Sequence, residues 1–154
     1  MYIHWDRKYE TGQLLIDTEH RLLVMLFRKL DVAIKSHLSD ELLKPILLEV
    51  KKFVEFHFIS EENVMRETGY PAIEAHRKLH HELLLELNSM IAALPSRREY
   101  PEDLLYFLSQ WLIDHIAEHD QGVARHVAEA AARPVGELVY TEYLLSHAAS
   151  AGGG

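Results

Sequence analysis

Polar residues recur at four-residue intervals on the apolar faces of long helical stretches, and this pattern constrains the chain more than any other feature. A polar side chain buried without a partner costs several kcal/mol, roughly, so inward-facing groups must meet one another or share a ligand. Four stretches carry helical periodicity and none shows the alternation of a strand. The first runs over about 18–36, with Leu23, Phe27, Leu30 and Ile34 on one face. The second runs over about 40–68, with Pro45 in or near its first turn, where the missing N–H does least harm. Gly69-Tyr70-Pro71 stops it and restarts the chain. The third covers about 71–94 and ends at Pro95; the fourth follows SRREY, from Pro101 to about 132. Short links between long helices make neighbours antiparallel, so the expected fold is all-α, an up-down-up-down four-helix bundle. Residues 1–16 read as a non-helical N-terminal arm, with Trp5 and Ile16 available to pack on the bundle. Arm and bundle together form a domain over 1–133. A C-terminal extension follows over 134–150, with VGELVYTEYLLSHA as a short fifth helix, and AGGG (151–154) is a flexible tail.

Projection at ~100° per residue shows where the polar groups point. His57 and Glu61 share a face with Phe53, Val54, Val64 and Met65, while Glu62 points to the opposite side. His76 and His80 lie with Leu83, Leu87 and Leu94; His81 points outward. His20 falls on the stripe of Leu23 and Phe27, and His115 on that of Leu108, Trp111 and Leu112. In an alternating bundle these positions lie at one depth. No inward Lys or Arg is available to neutralise Glu61, whereas a metal cluster satisfies the whole set. The donors are imidazole and carboxylate, which suit iron, manganese, zinc or copper. With no Cys, thiolate zinc, iron–sulfur and CxxCH haem sites are excluded. Five histidines and a carboxylate exceed one tetrahedral zinc, so two metals are expected, and they need a second bridging carboxylate. The stretch WLIDHIAEHDQG (111–122) offers two readings. Helical spacing favours pairing His115 with His119, while counting carboxylates favours Asp120, which lies ~100° off the face.

The net charge of −8 argues against a nucleic-acid surface. No run approaches the ~18 apolar residues of a membrane span, and MYIHWDRKYE lacks the apolar core of a leader; a cytoplasmic protein is expected.

IDTEH (16–20), HFISEENVM (57–65) followed by GYP, HRKLHHEL (76–83) and WLIDHIAEHD (111–120) occur in that order. With these motifs the chain resembles the bacterial hemerythrins over essentially residues 1–132. The resemblance implies two non-haem iron ions with an oxo or hydroxo bridge, binding O2 reversibly for storage, delivery or sensing. By motif, His76, His80 and His115 would hold one iron, and His20 and His57 the other. Glu61 and Asp120 would bridge them. The iron with two histidines would keep the position for O2, in a dry pocket lined by Phe58, Leu112 and Ile116. The matching motif is HIxxxD, so His119 is expected outside the ligand set. The helix is then expected to be distorted between His115 and Asp120, as by a π-bulge, unless Asp120 reaches in from the edge of the face. A binding protein rather than an enzyme is expected. The rival class is a di-iron oxidase, peroxidase or ferroxidase, whose sites carry Glu-x-x-His pairs that are missing from the inward faces here. A third reading makes the chain an oxygen- or iron-responsive module that reaches a protein partner or a second copy through 134–150.

Overall fold

The structure is a computed structural model that describes residues 5–93 and 101–131, without the side chains of Pro101, Glu102, Leu104 and Leu112. The expected C-terminal helix and flexible tail lie outside the described residues. A 3₁₀ turn (Arg7–Tyr9) precedes α1 (Leu14–Lys35), α2 (Asp40–Thr68) and α3 (Ile73–Ala93). A last continuous rod is built from α4 (Pro101–Asp114), a π-helical segment (His115–Asp120) and α5 (Gln121–Ala131). No strand occurs among the described residues, and none of the described helices is long and apolar enough to cross a membrane.

Pairings between helices give their directions. On α1 and α2, Glu19 meets Ser60 while Lys29 meets Glu49. On α2 and α3, Phe58 stacks on His80 while Glu61 meets His76. On α3 and the rod, His76 faces His119 while His80 meets His115. Each pair runs antiparallel, which makes the bundle up-down-up-down.

Helix α1 starts at Leu14, earlier than expected, so Ile16 is a buried helical residue and the arm stops at Gln13. The cause is Asp17, in the first turn. Its carboxylate accepts from the Thr11 backbone N–H and hydroxyl, both at 2.7 Å, and from the Gly12 N–H at 3.1 Å, tying the arm back onto the helix. Trp5 and Tyr9 pack on the core, and Gln121 Nε2 donates to the Glu10 carbonyl at 3.1 Å, fastening the arm to the rod. Pro45 lies in the second turn of α2, not the first, so the helix forgoes one hydrogen bond, to the Glu41 carbonyl. At the other end Gly69 takes the left-handed conformation (φ 66°), and the Tyr70 N–H reaches the Met65 carbonyl at 2.8 Å.

Leu23, Phe27, Leu30, Leu47, Val50 and Leu108 are fully buried in the main apolar core. A smaller cluster of Met65, Val123 and Val127, with Tyr70 and Ile73 against it, lies toward the opposite end. Between the two clusters runs the polar layer, one turn before Met65 on α2 and before Val123 on the rod.

A β-carbon at Gly69 would meet no atom within 4 Å, so a substitution there tests the backbone conformation alone. Gly69→Ala should destabilise the protein by about 1–2 kcal/mol in urea unfolding, with metal content unchanged. A cost near zero would show that the turn does not require the left-handed conformation.

Candidate metal centre

Each helix delivers its polar residues to the layer from a different depth along its own sequence. His20 comes from the second turn of α1, His57 and Glu61 from the second half of α2, His76 and His80 from the start of α3, and His115 and Asp120 from the two ends of the π segment. All seven side chains are buried, none more than 4% exposed. They form two groups that could each hold a metal ion: Glu61, His76, His80 and His115, and beside them His20, His57 and Asp120. Within each group one donor atom per residue lies within 4.8 Å of the others.

The carboxylates set the relation between the groups. Asp120 Oδ1 lies 3.1 Å from His115 Nε2 and 3.6 Å from His76 Nε2, whereas Oδ2 lies 3.0 Å from His20 Nε2. One carboxylate therefore faces both groups. Glu61 Oε2 lies 3.1 Å from His76 Nε2 and 3.2 Å from His80 Nε2, and Oε1 is left over. Despite these short distances both oxygens of Asp120, Oε1 of Glu61 and both ring nitrogens of His20 make no aligned hydrogen bond. Buried polar atoms that approach one another without hydrogen-bond geometry are the donor set a cation needs. His80 Nε2 and His115 Nε2, 3.1 Å apart, make the same point, since two bare ring nitrogens repel unless a proton or a cation lies between them. Imidazole with carboxylate suits iron among other borderline metals.

The charges respond to this crowding. Burial opposes ionisation of Asp120, but the close approach of the His115 and His20 rings outweighs it and holds the carboxyl well below its usual range. Glu61 is also lowered: burial and Asp120 oppose ionisation, and hydrogen bonds from His76 and His80 prevail. Burial pushes His80 down, toward the neutral ring a metal requires. His115 goes up, because Asp120 more than offsets its burial.

In the rod, Asp120 rather than His119 lies within the buried polar layer. The whole of His115–Asp120 is π-helical, the distortion expected there, and the wider turn stacks Asp120 under His115 across five residues. His119 is half-buried, with ring centroids 5.5 Å from His115 and 6.1 Å from His76, and it contributes to neither group. Phe58 stacks on the His80 ring at 3.8 Å and also borders His57 and His115. Ile116 is 2% exposed; the side chain of Leu112 lies outside the described residues.

Two contributors escape a reading by helical projection. Glu19, beside His20, accepts from His57 Nδ1 at 2.8 Å and from the Ser60 hydroxyl at 2.7 Å. Glu62 does not point away from the site, as its projection suggests: its Oε1 lies 3.1 Å from His80 Nδ1. The flank of α2 that carries Glu62 is where α3 packs, so a residue directed away from one helix's core stripe enters the groove beside the next. The available signal was an acidic residue adjacent to each inward pair.

Four antiparallel helices enclosing a dry layer of imidazoles and carboxylates define a class of helical-bundle metal proteins. The family described as the hemerythrin HHE cation binding domain matches residues 11–127, and the chain belongs to the hemerythrin family. It is 28% identical over 123 residues to the bacteriohemerythrin of Stenotrophomonas maltophilia, covering 80% of each chain. A bacteriohemerythrin of Campylobacter jejuni is 28% identical over 116 residues, 75% of this chain and 87% of the relative. That of Clostridium acetobutylicum is 28% identical over 122 residues, 76% of this chain and 95% of the relative. Membership implies non-haem iron and O2 as the family's ligands, and the donor chemistry of the layer fits iron.

Metal content separates the two histidines of the π segment. His119→Ala should retain the wild-type metal stoichiometry by elemental analysis, while His115→Ala should lose at least one equivalent. The opposite result would reverse the assignment. Because His115 favours its proton and a metal needs the neutral ring, loading should release protons, and apparent affinity should rise with pH through the imidazole range. A flat dependence from pH 5.5 to 7.5 would remove the imidazoles from the ligand set.

Proposed function

We propose that this protein binds O2 reversibly at a di-iron centre, with His76, His80 and His115 on one iron and His20 and His57 on the other. Glu61 and Asp120 join the two. The observation that carries this reading is Asp120, whose two oxygens face different groups, three imidazoles on one side and two on the other. The iron pair, when bound, supplies the two electrons that O2 takes up and returns.

The chain's own residues make that exchange reversible. Neutral imidazoles outnumber carboxylates, a donor set that favours the ferrous state. The half with fewer histidines keeps room for a small ligand. Phe58, stacked on His80 and bordering His57, and Ile116, which follows His115 in the rod, are apolar and almost fully buried, and they hold water and anions away from the centre. No Lys or Arg approaches Glu61 or Asp120 among the described residues, so their charge is directed at the metals.

Iron-loaded, reduced protein exposed to air should develop a visible charge-transfer band that disappears when O2 is removed. Irreversible oxidation with turnover of an added substrate would favour the oxidase or peroxidase reading instead. Ile116→Ser places a hydroxyl in the apolar wall, and the O2-dependent colour should then fade on the order of tenfold faster. An unchanged lifetime would take Ile116 out of the wall.

A further inference from the structure

The two halves of the centre are supported by carboxylates in opposite electrostatic settings. Glu19 is 2% exposed, and its partners among the described residues are the His57 ring and the Ser60 hydroxyl; no Lys or Arg lies in ion-pair range. Glu62 is more open and shares its charge. Its Oε1 meets His80 Nδ1, while Oε2 accepts from Arg77 Nε at 3.2 Å and Arg66 Nη2 at 3.4 Å. It lines a solvent-facing cleft with Arg77, His81 and Phe58.

We infer that Glu19 and Glu62 are unequal positioning residues: Glu19 strengthens His57 as a donor to the two-histidine half, and Glu62 orients His80 while strengthening it less. This rests on the reading of His57 and His80 as metal ligands. Each carboxylate holds a proton on Nδ1 and so directs the lone pair of Nε2 toward the centre. Beyond orientation, the pull on that N–H depends on how much negative charge the carboxylate keeps. Glu19, in a dry site with a single hydroxyl for company, keeps nearly all of it and polarises His57 toward imidazolate. Glu62 divides its charge between two guanidinium groups and water, so His80 stays closer to an ordinary neutral ring. The stronger donor thus belongs to the half with fewer imidazoles. Phe58, flat against His80, fixes that ring by stacking and leaves Glu62 less to do.

Replacing each Glu with Gln keeps size and a carbonyl acceptor but removes the charge. Metal-free full-length protein would be titrated with cobalt(II) against a competing chelator. Visible absorption would report coordination, and proton NMR would report the exchangeable ring N–H signals shifted by the paramagnetic ion. Wild type should take two equivalents. Glu19→Gln should weaken one of them about 10–100-fold and move one N–H signal. Glu62→Gln should weaken the other equivalent by a smaller factor and move a different signal. Should Glu19→Gln fail to fold, as judged by helical circular dichroism, Ser60→Ala should move a ring N–H signal other than the one that Glu62→Gln moves. A Glu19→Gln titration matching wild type, or a Glu62→Gln cost as large as that of Glu19→Gln, overturns the inference, as does an unmoved signal in Ser60→Ala. Fewer than two equivalents in wild type would instead defeat the di-iron reading itself.

Discussion

The fold is organised around a carboxylate that no Lys or Arg among the described residues neutralises. Asp120 has a fully buried carboxylate, and its neighbours are imidazoles from α1, α3 and its own rod. An isolated ion at that depth would be prohibitively costly. The chain must bring His20, His76 and His115 to one level, and doing so fixes the axial registry of three helices at once. Slippage of any one helix by a turn would leave uncompensated charge in the interior. The apolar clusters on either side are more permissive, because leucines and valines exchange partners at smaller cost than a carboxylate does.

Supporting groups extend this demand outward. Asp17 secures the N-terminal arm to the first turn of α1, placing Trp5 with its ring 6.4 Å from that of His20. Gln121 joins the same arm to the rod directly after Asp120. His126 approaches the Thr68 carbonyl at 2.8 Å, so α5 is joined to the end of α2 as well. The elements nearest the polar layer are thus cross-linked by hydrogen bonds, while in the far half apolar packing is joined by the Lys29–Glu49 ion pair between α1 and α2.

Much of this was legible in the amino-acid order because it depends on period. Leu23, Phe27 and Leu30 mark the buried face of α1, and the four-residue steps His57–Glu61 and His76–His80 put both members on one face of an ideal helix. Gly69 marks the end of α2 through a conformation that other residues resist. What period alone could not place was Asp120, because an ideal helix turns it aside in favour of His119, whereas the π segment brings it into the buried layer. Projection also failed for Glu62, because it treats each helix as having one partner, whereas a bundle helix has two flanking grooves. The start of α1 was missed because its stabilisation comes from within the helix, backward from Asp17, rather than from a side chain at the cap position.

The π segment has a consequence for everything downstream of it. A π turn accommodates one residue more than an α turn, so it advances the phase of the rod by about 100° without lengthening the connection. Leu105, Leu108 and Trp111 before it, and Val123 and Val127 after it, are all buried, although on an uninterrupted α-helix the mean directions of the two sets would differ by about 80°. The segment is thus a phase adaptor between two apolar faces: α4 is indexed to the main core and α5 to Met65. A one-residue deletion that restored regular α-helix would turn Val123 and Val127 away from Met65 in the same movement that withdrew Asp120. The site and the terminal helix therefore share a single reading frame, and neither can be re-phased without the other.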